Sequence, residues 1–567
     1  MRKEEGMTHA TVSEILVEVL AEAGVRELFG IPGDAINGLV DAIRKQDTVR
    51  FIQVRHEEAG AFAAAAQAKL TGRLAACVGT AGGGAIHLLN GLYDARMDHA
   101  PVIAVTGQVA TAQMGHDAHQ EVDLRTLFSD VAEFNETVTV PAQIPHFAVQ
   151  ACQTALARRT VSHISLPEDI ALESVAHSER RHPVFREPCI ALPDPGSLAE
   201  AAEVLNTADK IAILAGIGCR EARDELLEVA NALGAPIIRS LRGKDVLTDE
   251  NPYSLGGLGL LGTRPAVEAL AECDALLMVG TDFPYEDFYP RHARAVQIDS
   301  DPLRLGKRYP VDVGLLGHAR PSLEALSELL ERKSDRKFLE TAQKRMSEHL
   351  ARQDREESSK ADPLHPQVLA RRVGDLARDD AIFAVDTGEV TAWAARHLRM
   401  RGAQRFTLSA NLGSMAFALP AAIGAQLAHP DRQVIALAGD GGFGMLMSEF
   451  LTAVKYELPI TVVVFNNAKL GLIQIEQEIQ GNPEFQTALH NPDFAEFARI
   501  CGGRGLKVNR PGELDGALEE AYAARAPCVV DVRIDADQKP MPPRVELSQA
   551  FGYGLAKVRE LFASEGG

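Results

Sequence analysis

The chain has 567 residues, enough for three or four domains of about 100–200 residues each, and its 46% hydrophobic and 24% charged residues are those of a globular protein. With 58 Lys and Arg against 78 Asp and Glu, the net charge of −20 argues against a nucleic-acid partner, which needs a basic footprint. Seven scattered cysteines, none in a CxxC pair, argue against a disulfide framework or a zinc site and point to a reducing, cytoplasmic setting.

The start, MRKEEGMTHA, lacks an apolar core of the signal-peptide kind, and apolar runs such as 101–105 are too short to span a bilayer. No stable membrane insertion is expected. Strand-like runs then alternate with helix-period segments: 51–54, 74–78 and 102–105, then 211–214, 276–279 and 296–298, then 434–437 and 460–465. Runs of this length, flanked by Gly and Pro, read as buried parallel strands. The expected fold class is therefore α/β, with three doubly wound parallel-sheet domains. Two charged stretches, 177–195 and 352–366, read as linkers and bound domains at 8–175, 190–335 and 362–540, followed by a tail at 541–567.

In the first domain, strand 51–54 ends at His56-Glu57-Glu58 ahead of an alanine-rich helix. Taken alone, Glu57 is a carboxylate at a helix start, favoured by the helix dipole. In the middle domain, Gly216-Ile217-Gly218 joins a strand to a helix but lacks the third glycine of a dinucleotide fingerprint. In the third, strand 434–437 runs into Gly439-Asp440-Gly441-Gly442, a helix is expected from about 445 to 456, and strand 460–465 ends at Asn466-Asn467. Parallel strands joined by a crossover helix bring their ends to one sheet edge, so Asp440 and Asn467 should emerge together. One carboxylate and one amide oxygen suit Mg²⁺, and the glycines let backbone N–H groups approach a diphosphate at a helix start.

The pairing of GDG with NN matches the thiamine diphosphate signature. Together with RHEEAGAFAAA, GTAGGGAIHLLNGLYDARMDHAPVIAVTGQ, LRGKD, GTDFPYEDFYP, QIDSDP, DDAIFAVDTG, AARHL and LGSMAFALPAAIGAQ, it makes the chain resemble the pyruvate oxidase and acetolactate synthase family over essentially its whole length. The likeness is nearest to pyruvate oxidases and pyruvate:quinone oxidoreductases. It implies thiamine diphosphate, Mg²⁺ and FAD as cofactors, and oxidative decarboxylation of pyruvate or a similar 2-oxo acid, with oxygen or a quinone as acceptor. The alternative is an acetolactate synthase-type carboligase or related lyase, with FAD structural or absent.

The resemblance also implies roles. Glu57 contacts the aminopyrimidine ring and activates the cofactor. Asp440, Asn467 and the carbonyl of Lys469 hold the metal. Gly413, Ser414 and Met415 form the turn that contacts and bends the cofactor, although Met415 also reads as plain core packing. Gly441, Gly442, Leu470, Gly471, Leu472 and Ile473 line the cofactor site. His87, His119, Gln120 and Glu476 face substrate or acceptor, and His87 reads equally as a satisfied core histidine. Arg242, Leu258, Gly259, Leu260, Leu261, Thr281, Asp282, Phe283, Pro284, Tyr285 and Asp299 fall where the quinone-linked relatives contact FAD. Three features depart from the family: His119 and Leu472 each replace a phenylalanine, and the tail is short, its apolar stripe of Leu555, Val558, Leu561 and Phe562 expected to pack on its own subunit. Family active sites draw Glu57 and the metal ligands from different subunits, which implies a homodimer or homotetramer.

Overall fold

In the computed structural model, residues 7–178, 190–543 and 555–556 are described. The stripe expected in the tail lies outside them apart from Leu555. The first domain carries β1 (Met7–Thr11), β2 (Glu27–Gly30), β3 (Arg50–Gln53), β4 (Ala75–Gly79), β5 (Val102–Gln108), β6 (Phe134–Thr137), β7 (Val161–Pro167) and β8 (Ser174–Ser178). The middle domain carries β9 (Ile211–Ala215), β10 (Ile237–Arg239), β11 (Ser254–Gly257), β12 (Ala275–Val279), β13 (Arg294–Asp299) and β14 (Val313–Leu316). The third carries β15 (Ile382–Val385), β16 (Arg405–Leu408), β17 (Val434–Gly439), β18 (Thr461–Asn466), β19 (Arg504–Val508) and β20 (Cys528–Arg533).

Three six-stranded parallel sheets result, in the orders β3-β2-β4-β5-β7-β6, β11-β10-β9-β12-β13-β14 and β16-β15-β17-β18-β20-β19. The expected fold class is thus observed. A short antiparallel pair, β1 with β8, closes the first domain. The central strands are buried on both faces, as sequences like TVVVFN and ALLMV require once helices cover each side of the sheet. Each sheet order reverses direction near its centre: between β2 and β4, between β9 and β12, and between β15 and β17. Such switch points leave a crevice beyond the carboxyl ends of the strands, where open α/β sheets bind ligands.

The alanine richness of the Glu57–Thr71 helix has a packing cause. Ala59, Phe62 and Ala66 share one buried cluster with Phe417, Ala421 and Ile423 around the Ala418–Ala428 helix of the third domain. Small side chains let the two helices approach closely, and Phe62 meets Phe417 edge-on at 5.7 Å.

Two expectations are corrected. Residues 352–357 are not linker, because a helix spans Lys337–Glu357. Leu339, Ala342 and Met346 bury its apolar side, and the charges that suggested a linker lie on its other faces or, like Glu357, pair with Arg371, Arg399 and His397. The helix expected from about 445 instead begins at Asp440, runs to Leu446, tightens into a 3₁₀ turn at Met447–Glu449 and resumes over Phe450–Lys455. An acidic residue in the first turn complements the helix dipole, which offsets the low helix propensity of Gly441, Gly442 and Gly444.

Candidate active site

The switch point of the third domain collects carboxylates. Asp386 follows β15, Asp440 follows β17, and Glu389 opens the Glu389–His397 helix. Asp440 is 2% exposed, and its Oδ2 accepts from the Asn491 amide at 2.6 Å. The same Asn491 amide reaches Asn466 Oδ1 at 3.2 Å, so it straddles the ends of β17 and β18. Asn466 spends its own amide on Asp531 of β20 at 2.8 Å. Asn467, one residue further, donates to Glu389 Oε2 at 2.9 Å while its Oδ1 accepts the Lys469 N–H at 3.0 Å. An amide oxygen has two lone pairs, so Asn467 retains one for a cation.

The chemistry of this donor set fits a cation. Burial pushes the Asp386 and Glu389 carboxyls up to about 7 each and Asp440 up to about 6. Asp386 Oδ2 is buried with no hydrogen-bond partner. Three desolvated acids gathered at one strand-end crevice are costly as anions until a positive charge joins them. The glycines fit as well. A Cβ on Gly442 would sit 2.1 Å from Asp386 Oδ2, so only glycine passes there, and a backbone this bare is open to a diphosphate. Met415 Cε, Leu470 Cδ2 and Leu489 Cδ1 converge over Gly441. An isolated bridge between Lys469 and Ala488, with Leu470 N–H donating to Thr487 at 2.8 Å, fixes the loop that carries them.

The turn through Gly413, Ser414 and Met415 is anchored from the first domain. Asp98, 1% exposed, accepts from the N–H groups of Ala410 and Asn411 at 3.1 and 3.2 Å and from the Asn411 amide at 2.9 Å. Lys69 bridges Asp94 and Asp98 at 2.7 Å each and donates to Leu408 O at 3.0 Å. Lys69 and Arg242 beside it hold the Asp98 carboxyl down to about 2 despite burial. Ser414 Oγ then accepts from Asn90, whose amide also donates to Glu58.

Glu57 starts its helix with His56 as N-cap and is 6% exposed. Its Oε2 lies 3.0 Å from His87 Nδ1, and the rings of His56 and His87 stack at 4.3 Å. Gly82, at the start of the His87 segment, packs against Gln120, whose φ of 64° turns the exposed His119-Gln120 loop back over it. Glu57, His87 and Gln120 are therefore brought into one region. Leu472, Ile473 and Glu476 sit on the Gly471–Ile479 helix, with Ile473 and Glu476 exposed and Leu472 half-buried. No hydrogen bond among the described residues joins Glu57 to Asp440 or Asn467 within one chain.

The middle domain places Gly216, Thr281 and Asp299 at the ends of β9, β12 and β13. A Cβ on Gly216 would meet Gly280 O at 2.2 Å, so its glycine serves the close approach of two strand ends. Thr281 Oγ1 is buried with no partner, and burial pushes the Asp299 carboxyl up to about 6. Both fit a ligand that offers hydroxyls at this edge. Leu258 and Phe283 are buried, the Phe283 ring covers Gly259, and Pro284 and Tyr285 are exposed beside it. Leu261 lines a narrow cleft with Leu258, Ser240 and Lys244, and the Leu260 carbonyl accepts from Arg396. Asp282 is paired with Arg304 and Arg308, and Arg242 turns toward Asp98 of the first domain.

Asp386, Glu389, Asn491 and Glu449 have no role in the sequence reading above. For Asp386 and Glu389 a signal existed: DTGE follows the strand beside β17, which is the same strand-end logic that singled out Asp440. Asn491 carries no local signal, since a loop brings it in from 25 residues beyond Asn466.

Comparison with known proteins agrees with this geometry. The thiamine pyrophosphate enzyme N-terminal TPP binding, central and C-terminal TPP binding domains match residues 10–127, 198–326 and 386–532. The chain belongs to the thiamine pyrophosphate enzyme family. It is 43% identical to a putative thiamine pyrophosphate-containing protein, YdaP, of Bacillus subtilis, over 99% of this chain and 97% of that one. It is 35% identical to a pyruvate oxidase of Lactiplantibacillus plantarum, over 95% and 91% of the two chains. It is 32% identical to the acetolactate synthase isozyme 2 large subunit of Escherichia coli, over 92% and 95%. Among the described residues, no helix is long and apolar enough to cross a membrane.

Proposed function

We propose that this enzyme decarboxylates pyruvate or a related 2-oxo acid oxidatively, passing the electrons through FAD to oxygen or a quinone. When bound, thiamine diphosphate supplies the nucleophilic carbon and the electron sink for loss of CO₂. The chain's own residues supply position and charge. Asp440, the free lone pair of Asn467 and the Lys469 carbonyl would hold Mg²⁺, and Gly441 and Gly442 would admit the diphosphate. Met415 and Leu470, which converge over Gly441, would support the cofactor from the apolar side, and Gly413 and Ser414 would contact its pyrimidine. Glu57 faces the cofactor ring, and the 3.0 Å contact of its buried carboxyl Oε2 with Nδ1 of the half-exposed His87 is the observation that carries the catalytic reading. Gln120, His119 and Glu476 bound the substrate side.

For the flavin, the support is the orphaned Thr281 hydroxyl beside Gly216 and Asp299 at the middle switch point. Leu258, Gly259, Leu260, Leu261, Asp282, Phe283, Pro284, Tyr285 and Arg242 surround that edge. As the resemblance implies, each site pairs Glu57 of one copy with the metal ligands of another, in a homodimer or homotetramer.

Carboligation of the acetolactate synthase kind is the competing reading, favoured by the 32% identity to such an enzyme. Anaerobic addition of pyruvate to the FAD-loaded enzyme separates the two. Bleaching of the flavin absorbance is expected; acetolactate formation with the flavin still oxidised would overturn oxidation.

A further inference from the structure

Glu449 is an acid sealed between two domains. It ends the 3₁₀ turn that directly follows the Asp440–Leu446 helix and is 0% exposed. One carboxylate oxygen, Oε1, accepts the backbone N–H of Arg55 at 2.8 Å and of His56 at 2.9 Å. The other, Oε2, accepts the Thr452 hydroxyl at 2.7 Å. Arg55 and His56 are the two residues immediately before Glu57, where β3 has ended and its helix has not begun. These N–H groups have no strand or helix partner of their own, and buried donors left unpaired cost about 1–3 kcal/mol each. The same stretch of the third domain grips β3 again, with the Gln53 N–H donating to Tyr456 Oη at 2.7 Å and Lys455 reaching the Gln53 side chain.

Burial raises the Glu449 carboxyl above its usual range, so this contact is maintained against a desolvation penalty. Apolar packing would hold two domains together without that penalty. A doubly accepting carboxylate adds something packing does not: it fixes the orientation of two consecutive peptide planes, and so the direction in which Glu57 leaves the backbone.

We propose that Glu449 is the positioning residue for Glu57, tying the segment that follows the Asp440 helix to the peptide that aims the activating carboxylate. This rests on the reading of Glu57 as the group that activates the cofactor. Positional errors of about 1 Å at a catalytic group cost as much as a hundredfold in rate.

The test is hydrogen–deuterium exchange at C2 of thiamine diphosphate bound to the Mg²⁺-loaded enzyme, read by NMR after acid quench. Glu449→Ala is expected to slow exchange roughly tenfold or more while the cofactor Kd changes by less than about threefold. Glu449→Gln, whose amide oxygen still accepts from both N–H groups, is expected to restore exchange to within about threefold of the unmodified enzyme. A purely structural Glu449 would lower the melting temperature and leave the bound cofactor exchanging at its normal rate. Should the alanine variant fail to fold, Glu449→Asp, one methylene too short to reach the two N–H groups, carries the same expectation. Normal exchange in these variants beside slowed exchange in Glu57→Gln overturns the assignment of Glu449 alone. Normal exchange in Glu57→Gln overturns the reading of Glu57 and this inference with it.

Discussion

The third and middle domains share a six-stranded parallel sheet with a switch point near its centre, yet the two crevices partner their acids differently. At the third domain's edge, Asp386, Glu389 and Asp440 are buried acids whose proton affinity is raised, with neutral amides as their nearest partners. At the middle edge, the surface acid Asp282 is held by Arg304 and Arg308, and what remains unpaired is a hydroxyl, Thr281 Oγ1. The first edge gathers acids whose chemistry suits a cation; the second holds Asp282 between two arginines, keeps one buried acid, Asp299, and suits a neutral, hydroxyl-bearing part of a ligand. One fold thus supplies two crevices, and the residues just past the strand ends decide what enters each.

Three substitutions test that contrast. The largest effect is expected at the cation edge. Asp440→Ala should weaken Mg²⁺ by at least about a hundredfold, since even groups behind the ligands of a metal contribute roughly 10–100-fold. A Mg²⁺ titration of turnover and of cofactor binding measures it, and an unshifted midpoint would remove Asp440 from the site.

Next is a pH effect at the middle edge. Burial raises the Asp299 carboxyl from its model-peptide value of 3.8 to about 6. A carboxyl raised on folding contributes stability that is fully present below pH 3.8 and is lost as pH rises through about 6. The flavin-free protein should therefore lose up to about 2–3 kcal/mol across that window. Asp299→Asn should lack this slope, so denaturant midpoints of the two proteins should cross over between about pH 4 and 7. Parallel midpoints would show that Asp299 is solvated in the fold. The smallest effect is expected for Thr281→Val, which removes the orphaned hydroxyl without changing the volume much. Flavin should loosen by about 1 kcal/mol, or roughly fivefold, with thiamine diphosphate binding untouched. Equal loss of both cofactors would mean the two edges are not independent.

Sequence by itself determined the class of fold and the placing of Asp440 and Asn467 past neighbouring strand ends. Buried strands such as VIALAG carry their own signature, because a strand covered on both faces must be apolar throughout. Asp440 and Asn467 were legible because parallel topology places successive strand ends on one edge, whatever the details of packing. Likewise Glu57 stood out as a carboxylate at a helix start, and family likeness gave it a task.

What tertiary structure alone decided is everything that depends on which unrelated segments meet. The helix start moved to Asp440 because the dipole and the crevice favour an acid there, not because any helix-forming residue does. Charges at 352–357 belonged to a helix, since local composition does not show which face is buried. Asn491 and Asp386 reach the site from loops and strands distant in sequence. Glu449 is the extreme case: 393 residues separate it from His56, and no pattern along the chain links a glutamate in a broken helix to the peptide planes that aim Glu57. A hydrogen bond between distant backbone and side-chain groups leaves no periodicity behind, so only the folded chain reveals it.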